Sequence, residues 1–437
     1  DSPGVPDVRR LFQVARAWSI RFRHDPEFLT DALFLAVLRA DQDFQLRAEG
    51  LGLHPVRLER LLVGGSETRP AEEEFSAPPP EPSPEALGNP DAAAEIDAAR
   101  VLDANFNRAR EAARVLEDYC RFSLDDAFLT RQVKELRHGL ASAAQKLPPD
   151  LLLAARETQK DVGTNATSGG EYARSSPAHV AQVNLKRLQE SLRSLEEFAK
   201  VFGPALGREL EALRYAAYTL ERAVLTGGAA RERLARAKLY VLLTRARCPA
   251  ALDWTIREAA RGGADVFQLR EKALPDRELL ELAREVRRWT RETNALFIVN
   301  DRPDIARLCE ADGVHLGQDD LSVKDARRVL GPGPLIGVST HSVEQLRQAV
   351  LDGADYAGVG PTFPSRTKSF DAFPGLAFVR AAHQESTLPM FVLGGIGPEN
   401  ACEVVAAGAR RLAVSSAVCA ADDPERSARL LKAALSE

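Results

Sequence analysis

At 437 residues the chain exceeds one typical core, so two or three domains are expected. A formal net charge of −5 and a pI near 6.0 argue against a basic surface spread over the molecule for nucleic acid, and confine any anion site to a local cluster. No apolar run of about 20 residues occurs, the first residues lack a basic stretch leading into an apolar one, and Cys120, Cys248, Cys309, Cys402 and Cys419 show no Cys-x-x-Cys spacing. Membrane insertion, secretion, a disulfide framework and a zinc site are therefore not expected, and scattered thiols of this kind suit a reducing cytoplasm. Because the chain opens at Asp1, further residues are expected upstream.

Residues 1–63 read as a small helical module, with Thr30 as an N-cap before the apolar run Ala32 to Leu38. The stretch from His24 through Thr30 to Leu38-Arg39, followed by Gly50-Leu51-Gly52-Leu53, resembles one repeat of the N-domain of Clp-type chaperone ATPases. That resemblance implies a surface for docking a protein partner. Residues 64–94 carry Glu72-Glu73-Glu74 and then Pro78-Pro79-Pro80-Glu81-Pro82-Ser83-Pro84. Proline removes backbone donors and clustered acids repel, so a disordered, solvated linker is expected there.

Residues 95–227 are expected to form an all-α domain with an internal repeat. Asn105, Arg108, Glu111, Arg114 and Glu117 recur as Asn184, Arg187, Glu190, Arg193 and Glu196, and Phe106, Ala109, Ala113 and Leu116 recur as Leu185, Leu188, Leu192 and Leu195. The apolar set has the spacing of one helix face, so the two copies should pack together. The polar set spirals around its helix and need not form one site. Between the copies lies Arg156-Glu157-Thr158-Gln159-Lys160-Asp161-Val162-Gly163-Thr164-Asn165 with Ser168-Gly169-Gly170, a loop able to bind an anion or merely to connect. It has no G-x-x-x-x-G-K-[ST], which excludes a P-loop.

From residue 238 the pattern changes to eight short apolar runs, 239–244, 266–270, 296–300, 313–317, 335–340, 356–360, 390–395 and 412–418, with helical patterns between them. Near-continuous apolar runs suit strands covered on both faces, and eight alternations predict a (β/α)8 TIM barrel over 238–437. No G-x-G-x-x-G follows the first run, which disfavours the doubly wound alternative.

Polar clusters close these runs, where a barrel places its chemistry. Gln268, Arg270 and Lys272 alternate along one run and should project together toward a polyanion. Arg270, Lys272 and Lys368 suit a departing pyrophosphate. Asp301 and Asp320 would be neighbours around the barrel and would hold Mg2+ with substrate oxygens, the alternative for Asp301 being an N-cap for a helix at Pro303. Gly394-Gly395-Ile396-Gly397, Ser415 and Ser416 suit a monophosphate, with Ser365 and Thr367 donating hydroxyls to it. His315 and His341 lie on or beside strands and are read as core or rim residues rather than bases. One pocket for a diphosphate with metal and a monophosphate without it points to a transferase joining two phosphorylated pieces.

The chain from 238 to 437 resembles the thiamine phosphate synthase family through Gln268-x-Arg270-x-Lys272, Asn300-Asp301, Gly317-Gln318-x-Asp320, Gly337-Val338-Ser339-x-His341, Gly353-Ala354-Asp355-Tyr356, Gly358-Val359-Gly360-Pro361, Thr367-Lys368 and Gly394-Gly395-Ile396. The resemblance implies coupling of 4-amino-2-methyl-5-hydroxymethylpyrimidine diphosphate to 4-methyl-5-(2-phosphoethyl)thiazole, with release of pyrophosphate. It places Gln268, Arg270, Lys272, Asn300, Ser339 and Lys368 on the pyrimidine diphosphate and Mg2+ on Asp301 and Asp320. Ser365, Thr367, Gly395 and Ser416 fall to the thiazole phosphate; Ser365 replaces the family's more usual threonine, and Ala413 and Ser415 also vary. Residues 95–227 resemble a helical domain fused to such barrels in the same pathway and associated with pyrimidine phosphate phosphorylation. The alternative reading is then a bifunctional chain, with Arg108, Arg114, Arg137 and the 156–165 loop as anion contacts. A thiazole tautomerase and a non-catalytic metabolite-sensing barrel remain further alternatives, and a homo-oligomer is open.

Overall fold

The computed structural model describes residues 92–156, 173–364 and 373–436, all within one compact unit, Gly88–Glu437. The 1–63 module and most of the 64–94 stretch lie outside the described residues, as do Glu157 to Asn165 and Ser365, Thr367 and Lys368.

The helical part contains α1 (Ala92–Asp118), a π-helical turn (Tyr119–Ser123), α2 (Ala127–Ala144), α3 (Pro149–Ala155), α4 (Pro177–Ala199) and α5 (Pro204–Leu234). Helix α1 begins inside the stretch read as linker, because Ala92-Ala93-Ala94 favours helix more strongly than the acids and prolines before it. The two copies of the repeat are α1 and α4, and these two helices pack along each other more extensively than any other pair. Phe106, Ala109, Ala113 and Leu116 of one copy and Leu185, Leu188, Leu192 and Leu195 of the other are all buried. The polar repeat serves the same packing. Asn105 donates to Val101 O at 2.9 Å and Asn184 to Val180 O at 2.9 Å, each four residues back. Glu117 is buried between Arg114 and Arg137, and Glu196 between Arg193 and Arg214. Removing one partner of such a pair would strand a buried charge, so the repeated acids hold the helices together.

Helix α5 leads into a closed, all-parallel barrel of β1 (Leu239–Leu243), β2 (Val266–Leu269), β3 (Leu296–Asn300), β4 (Gly313–Leu316), β5 (Leu335–Thr340), β6 (Tyr356–Val359), β7 (Met390–Leu393) and β8 (Leu412–Val414). Alternation along the strands separates two cores. Leu239, Val241, Phe267, Phe297, Val299, Val314, Ile336 and Val392 face the outer helices, while Tyr240, Val266, Ile298, Leu335, Tyr356, Phe391 and Ala413 fill the interior. The run 412–418 divides into β8 and a short helix over Ser416–Cys419, because Ser415 breaks the strand and accepts the first turn from Val418 and Cys419.

The outer helices are α6 (Leu252–Arg261), α7 (Asp276–Glu292), α8 (Pro303–Leu308), α9 (Val323–Leu330), α10 (Val343–Leu351), α11 (Gly375–Glu385), α12 (Ala401–Ala406), α13 (Ser416–Cys419) and α14 (Pro424–Ala434). Ser342 caps α10 by accepting from Gln345 N, while the Gln345 side chain accepts from His341 N at 2.7 Å. Ser342 and Gln345 thus form a variant of the capping box, in which the Gln345 side chain reaches one residue further back than usual.

At the amino ends of the strands, Asp265, Asp312 and Asp355 precede β2, β4 and β6. They accept from the backbone at the starts of β1, β3 and β5, namely Leu239 N at 2.9 Å, Phe297 N at 2.8 Å and Ile336 N at 2.7 Å. Each is also paired with a cation, Lys432, Arg287 or Arg327. The helical part docks at this same end. Buried Asp126 caps α2 through Leu129 N and accepts from Ser386 Oγ at 2.7 Å and Thr387 N at 2.8 Å ahead of β7. Arg222 donates to Leu351 O, and Arg233 to Gly333 O.

Candidate functional site

At the opposite, carboxyl ends of the strands a cavity of about 1230 Å³ opens, lined among others by Gln268, Arg270, Lys272, Asn300, Asp301, Asp320, Ser339, Gly395, Ser415 and Ser416. Every barrel site residue read from the sequence that falls among the described residues lines this one cavity, whereas the candidate anion contacts Arg108, Arg114, Arg137 and Arg156 lie in the helical part. Strand β2 ends at Leu269, so Arg270 and Lys272 project from the loop just beyond it. Lys272 Nζ reaches Asp301 Oδ2 at 3.0 Å.

Asp301 donates its backbone N–H to His315 O at 2.8 Å and takes a positive φ of 60°, which turns its carboxylate into the cavity. It does not cap α8, whose N-cap position is Arg302 without a side-chain cap bond. The N-cap alternative is thereby overturned, because the left-handed turn points Asp301 away from the helix start. Asp320 accepts from Gly317 N at 2.6 Å and neighbours Asp301 in the cavity. Burial first, and then the neighbouring Asp301, hold the Asp320 carboxyl above the ordinary carboxylate range. Two neighbouring carboxylates repel, and a proton or a cation between them relieves that repulsion. Among the described residues no group of three His, Cys, Asp or Glu could hold a metal ion, so such a cation would draw further oxygens from substrate and water.

The opposite wall is built of backbone. Gly394 and Gly395 adopt φ values of 103° and 64°, and a Cβ on Gly395 would lie 2.7 Å from Pro364 O. Glycine is required both by the left-handed turn and by the close approach of the β6 loop. The loop is pinned by Asn400, which accepts from Gly397 N and donates to Gly395 O, each at 2.9 Å. Ser415 donates to Leu242 O at 3.1 Å, which commits its proton to β1. Ser416 heads α13 beside it.

The floor joins five side chains from five strands. Gln268 Nε2 donates to Tyr240 Oη at 2.8 Å, and Tyr240 Oη lies 3.2 Å from Tyr356 Oη. Tyr356 Oη lies 3.2 Å from His315 Nδ1, and His315 Nε2 lies 2.9 Å from Ser339 Oγ. Burial pushes the His315 imidazolium down to about 4 and both phenols up, so at neutral pH all three are uncharged. That agrees with reading His315 as a core residue. His341 Nδ1 sits 2.6 Å from Gly360 O, at the rim.

Sequence reasoning did not find Arg247, Tyr240 or Tyr356 as part of the site. Arg247 follows β1 and lines the cavity; the basic pair Arg245 and Arg247 directly after the first apolar run was the available signal. The tyrosines had no local signal, since each reads as an ordinary apolar strand residue. In the helical part, Arg114 and Arg137 are engaged by Glu117. Arg156 forms a two-pronged pair with Asp103, 2.7 Å for each contact.

The thiamine monophosphate synthase family model matches residues 239–418, and the ThiD2 family model matches residues 100–223. A thiamine-phosphate synthase from Gloeobacter violaceus is 44% identical over 327 residues, which cover 75% of this chain and 94% of that protein. One from Synechocystis is 41% identical over 77% of this chain and 96% of its own length. Alignments of this length exceed the barrel and take in the helical part. A thiamine phosphate pyrophosphorylase of known structure from Pyrococcus furiosus is 36% identical, covering 46% of this chain and 96% of that one with a TM-score of 0.43. With 44% identity across nearly the full length of such a relative, and a closed eight-stranded barrel carrying the site at its carboxyl end, the chain belongs to the thiamine-phosphate synthase family.

Proposed function

We infer that the cavity couples 4-amino-2-methyl-5-hydroxymethylpyrimidine diphosphate to 4-methyl-5-(2-phosphoethyl)thiazole, giving thiamine phosphate and pyrophosphate. The observation that carries this reading is the meeting of Asp301 and Asp320 beside Lys272 and Arg270 in one cavity. A pocket with paired acids and adjoining bases suits a diphosphate bound through a divalent ion, and a thiazole tautomerase acting on a monophosphate has no use for it.

The bond from the pyrimidine methylene to the diphosphate oxygen breaks with its electron pair leaving on pyrophosphate. The methylene cation is delocalised by the ring amino group and captured by the thiazole nitrogen lone pair. Arg270, Lys272 and Lys368 neutralise the leaving group, and Ser339 donates to it. Gln268 and Asn300 hold the pyrimidine, while Gly395, Ser416, Ser365 and Thr367 receive the thiazole phosphate. Asp301 and Asp320 fit Mg2+, since a dication offsets the repulsion between the two neighbouring carboxylates. When bound, Mg2+ supplies positive charge to the diphosphate oxygens as negative charge builds on them.

Pyrophosphate release by the purified chain, measured with both substrates and with and without Mg2+, tests the reading. Release that needs both substrates and the metal is expected. Isomerisation of a thiazole phosphate without pyrophosphate would assign the tautomerase instead.

The match of residues 100–223 to the ThiD2 family model favours a second activity in the helical part, phosphorylation of the pyrimidine phosphate. Its assay belongs on the full chain, because Asp126 ties the helices to the barrel. ATP-dependent formation of the diphosphate from the monophosphate is the expected result, and its absence would leave the helical part as a scaffold.

A further inference from the structure

We propose that Tyr240, Tyr356 and His315 are positioning residues that fix the direction of one hydrogen-bond chain, so that Gln268 presents an acceptor and Ser339 a donor to the same substrate. The direction follows from counting protons. Gln268 Nε2 has only protons to give and donates to Tyr240 Oη. Tyr240 is buried, and its one other hydrogen-bond partner among the described residues is Tyr356 Oη, so its own proton goes there. Tyr356 is equally buried and passes its proton to His315 Nδ1. His315 must then carry its proton on Nε2 and donate to Ser339 Oγ, which leaves the serine proton for the cavity that Ser339 lines.

The two ends agree with this direction. Gln268 is only 2% exposed, and its Oε1 is buried without a hydrogen-bond partner among the described residues. It therefore calls for a donor from a ligand in the cavity. The Ser339 end shares the cavity with Arg270 and Lys272, where an anion needs donors. The reverse direction would aim an amide N–H at one end and a serine lone pair at the anion. Gly337 makes room for the chain, since a Cβ there would lie 2.1 Å from Tyr356 Cζ. The identity of the two groups met, a ring amino group and a phosphate, rests on the function proposed above. The proton order does not.

Nitrogen-15 NMR of histidine-labelled, substrate-free full-length protein reads the His315 tautomer, with the signal assigned by its loss in His315→Gln. A single neutral Nε2–H form is expected. An Nδ1–H form, or a fast-exchanging mixture, would overturn the proposal. In Tyr356→Phe, which loses the donor to Nδ1, the single form should give way to a mixture, and an unchanged tautomer would show that Tyr356 does not set it. Should that variant fail to fold, the wild-type spectrum alone decides. Pyrophosphate assays that fail while the Nε2–H form is present would count against the proposed reaction and not against the chain of protons.

Discussion

Replacing Asp320 by asparagine separates what the carboxylate pair does for folding from what it does for turnover. Asparagine keeps an oxygen for Gly317 N, which Asp320 now holds at 2.6 Å, so the loop should keep its shape. What disappears is one of two neighbouring acidic groups, where Asp301 raises the cost of ionising Asp320. At about 4 Å, two unit charges in water interact by about 1 kcal/mol. Screening by salt, and here by Lys272, leaves a gain of about 0.5–1 kcal/mol for the variant at pH 7 without divalent ions. The pH dependence has a definite sign. The Asp320 pKa is raised in the folded state, so the folded chain holds that proton more tightly than the unfolded chain. The resulting stabilisation is present in acid and is lost as pH rises through the folded value. Urea unfolding between acid and neutral pH should show wild-type stability falling relative to the variant. Mg2+ at about ten times its dissociation constant should stabilise the wild type by about 1.4 kcal/mol and the variant far less. Turnover should drop by about 10² to 10³. A variant that is less stable than wild type, responds equally to Mg2+ and retains its rate would refute the reasoning.

Arg270→Ala should lower turnover by about 10² to 10³ in steady-state pyrophosphate release, as for loss of one electrostatic stabiliser. Gly395→Ala forces an L residue to a φ of 64°, at a cost of about 1–2 kcal/mol. It should raise KM for the thiazole phosphate roughly tenfold, read by varying that substrate at saturating pyrimidine diphosphate. Asp126→Ala removes a helix cap worth about 1 kcal/mol and strands donors of Ser386 and Thr387, each costing about 1–3 kcal/mol. A loss of roughly 3–7 kcal/mol in denaturant unfolding is expected, and a change under about 1 kcal/mol would show that water replaces the carboxylate.

The barrel was legible because each strand is a short apolar run and each run ends in a polar cluster. The apolar runs gave the start of every strand and overshot several ends by a residue or two, and the largest departure came where an apolar stretch changed element, at Ser415 between β8 and α13. The repeated helices were legible as a face but not as a purpose. Nothing in the spacing of Glu117 and Glu196 announced that each would be buried against an arginine from the next helix. The cavity residues Gln268, Arg270, Asn300, Asp301 and Asp320 could be read because each stands where its strand ends. Tyr240 and Tyr356 could not, since they stand near the starts of β1 and β6, far from the polar ends, and their hydroxyls meet at 3.2 Å while 116 positions apart in sequence. The aspartates ahead of β2, β4 and β6 left a faint trace in the shared pattern of a small residue and then Asp before an apolar run, at Ala264-Asp265, Ala311-Asp312 and Ala354-Asp355.

Helix α5 runs for 31 residues, a rod of about 46 Å, and passes into β1 across only the short stretch between Leu234 and Leu239. With its flank anchored at the amino ends of the strands, the helical part faces away from the barrel mouth and has no tether on which to swing. Fusion in this chain therefore holds the helical part in one fixed place behind the barrel, clear of the mouth where the cavity opens.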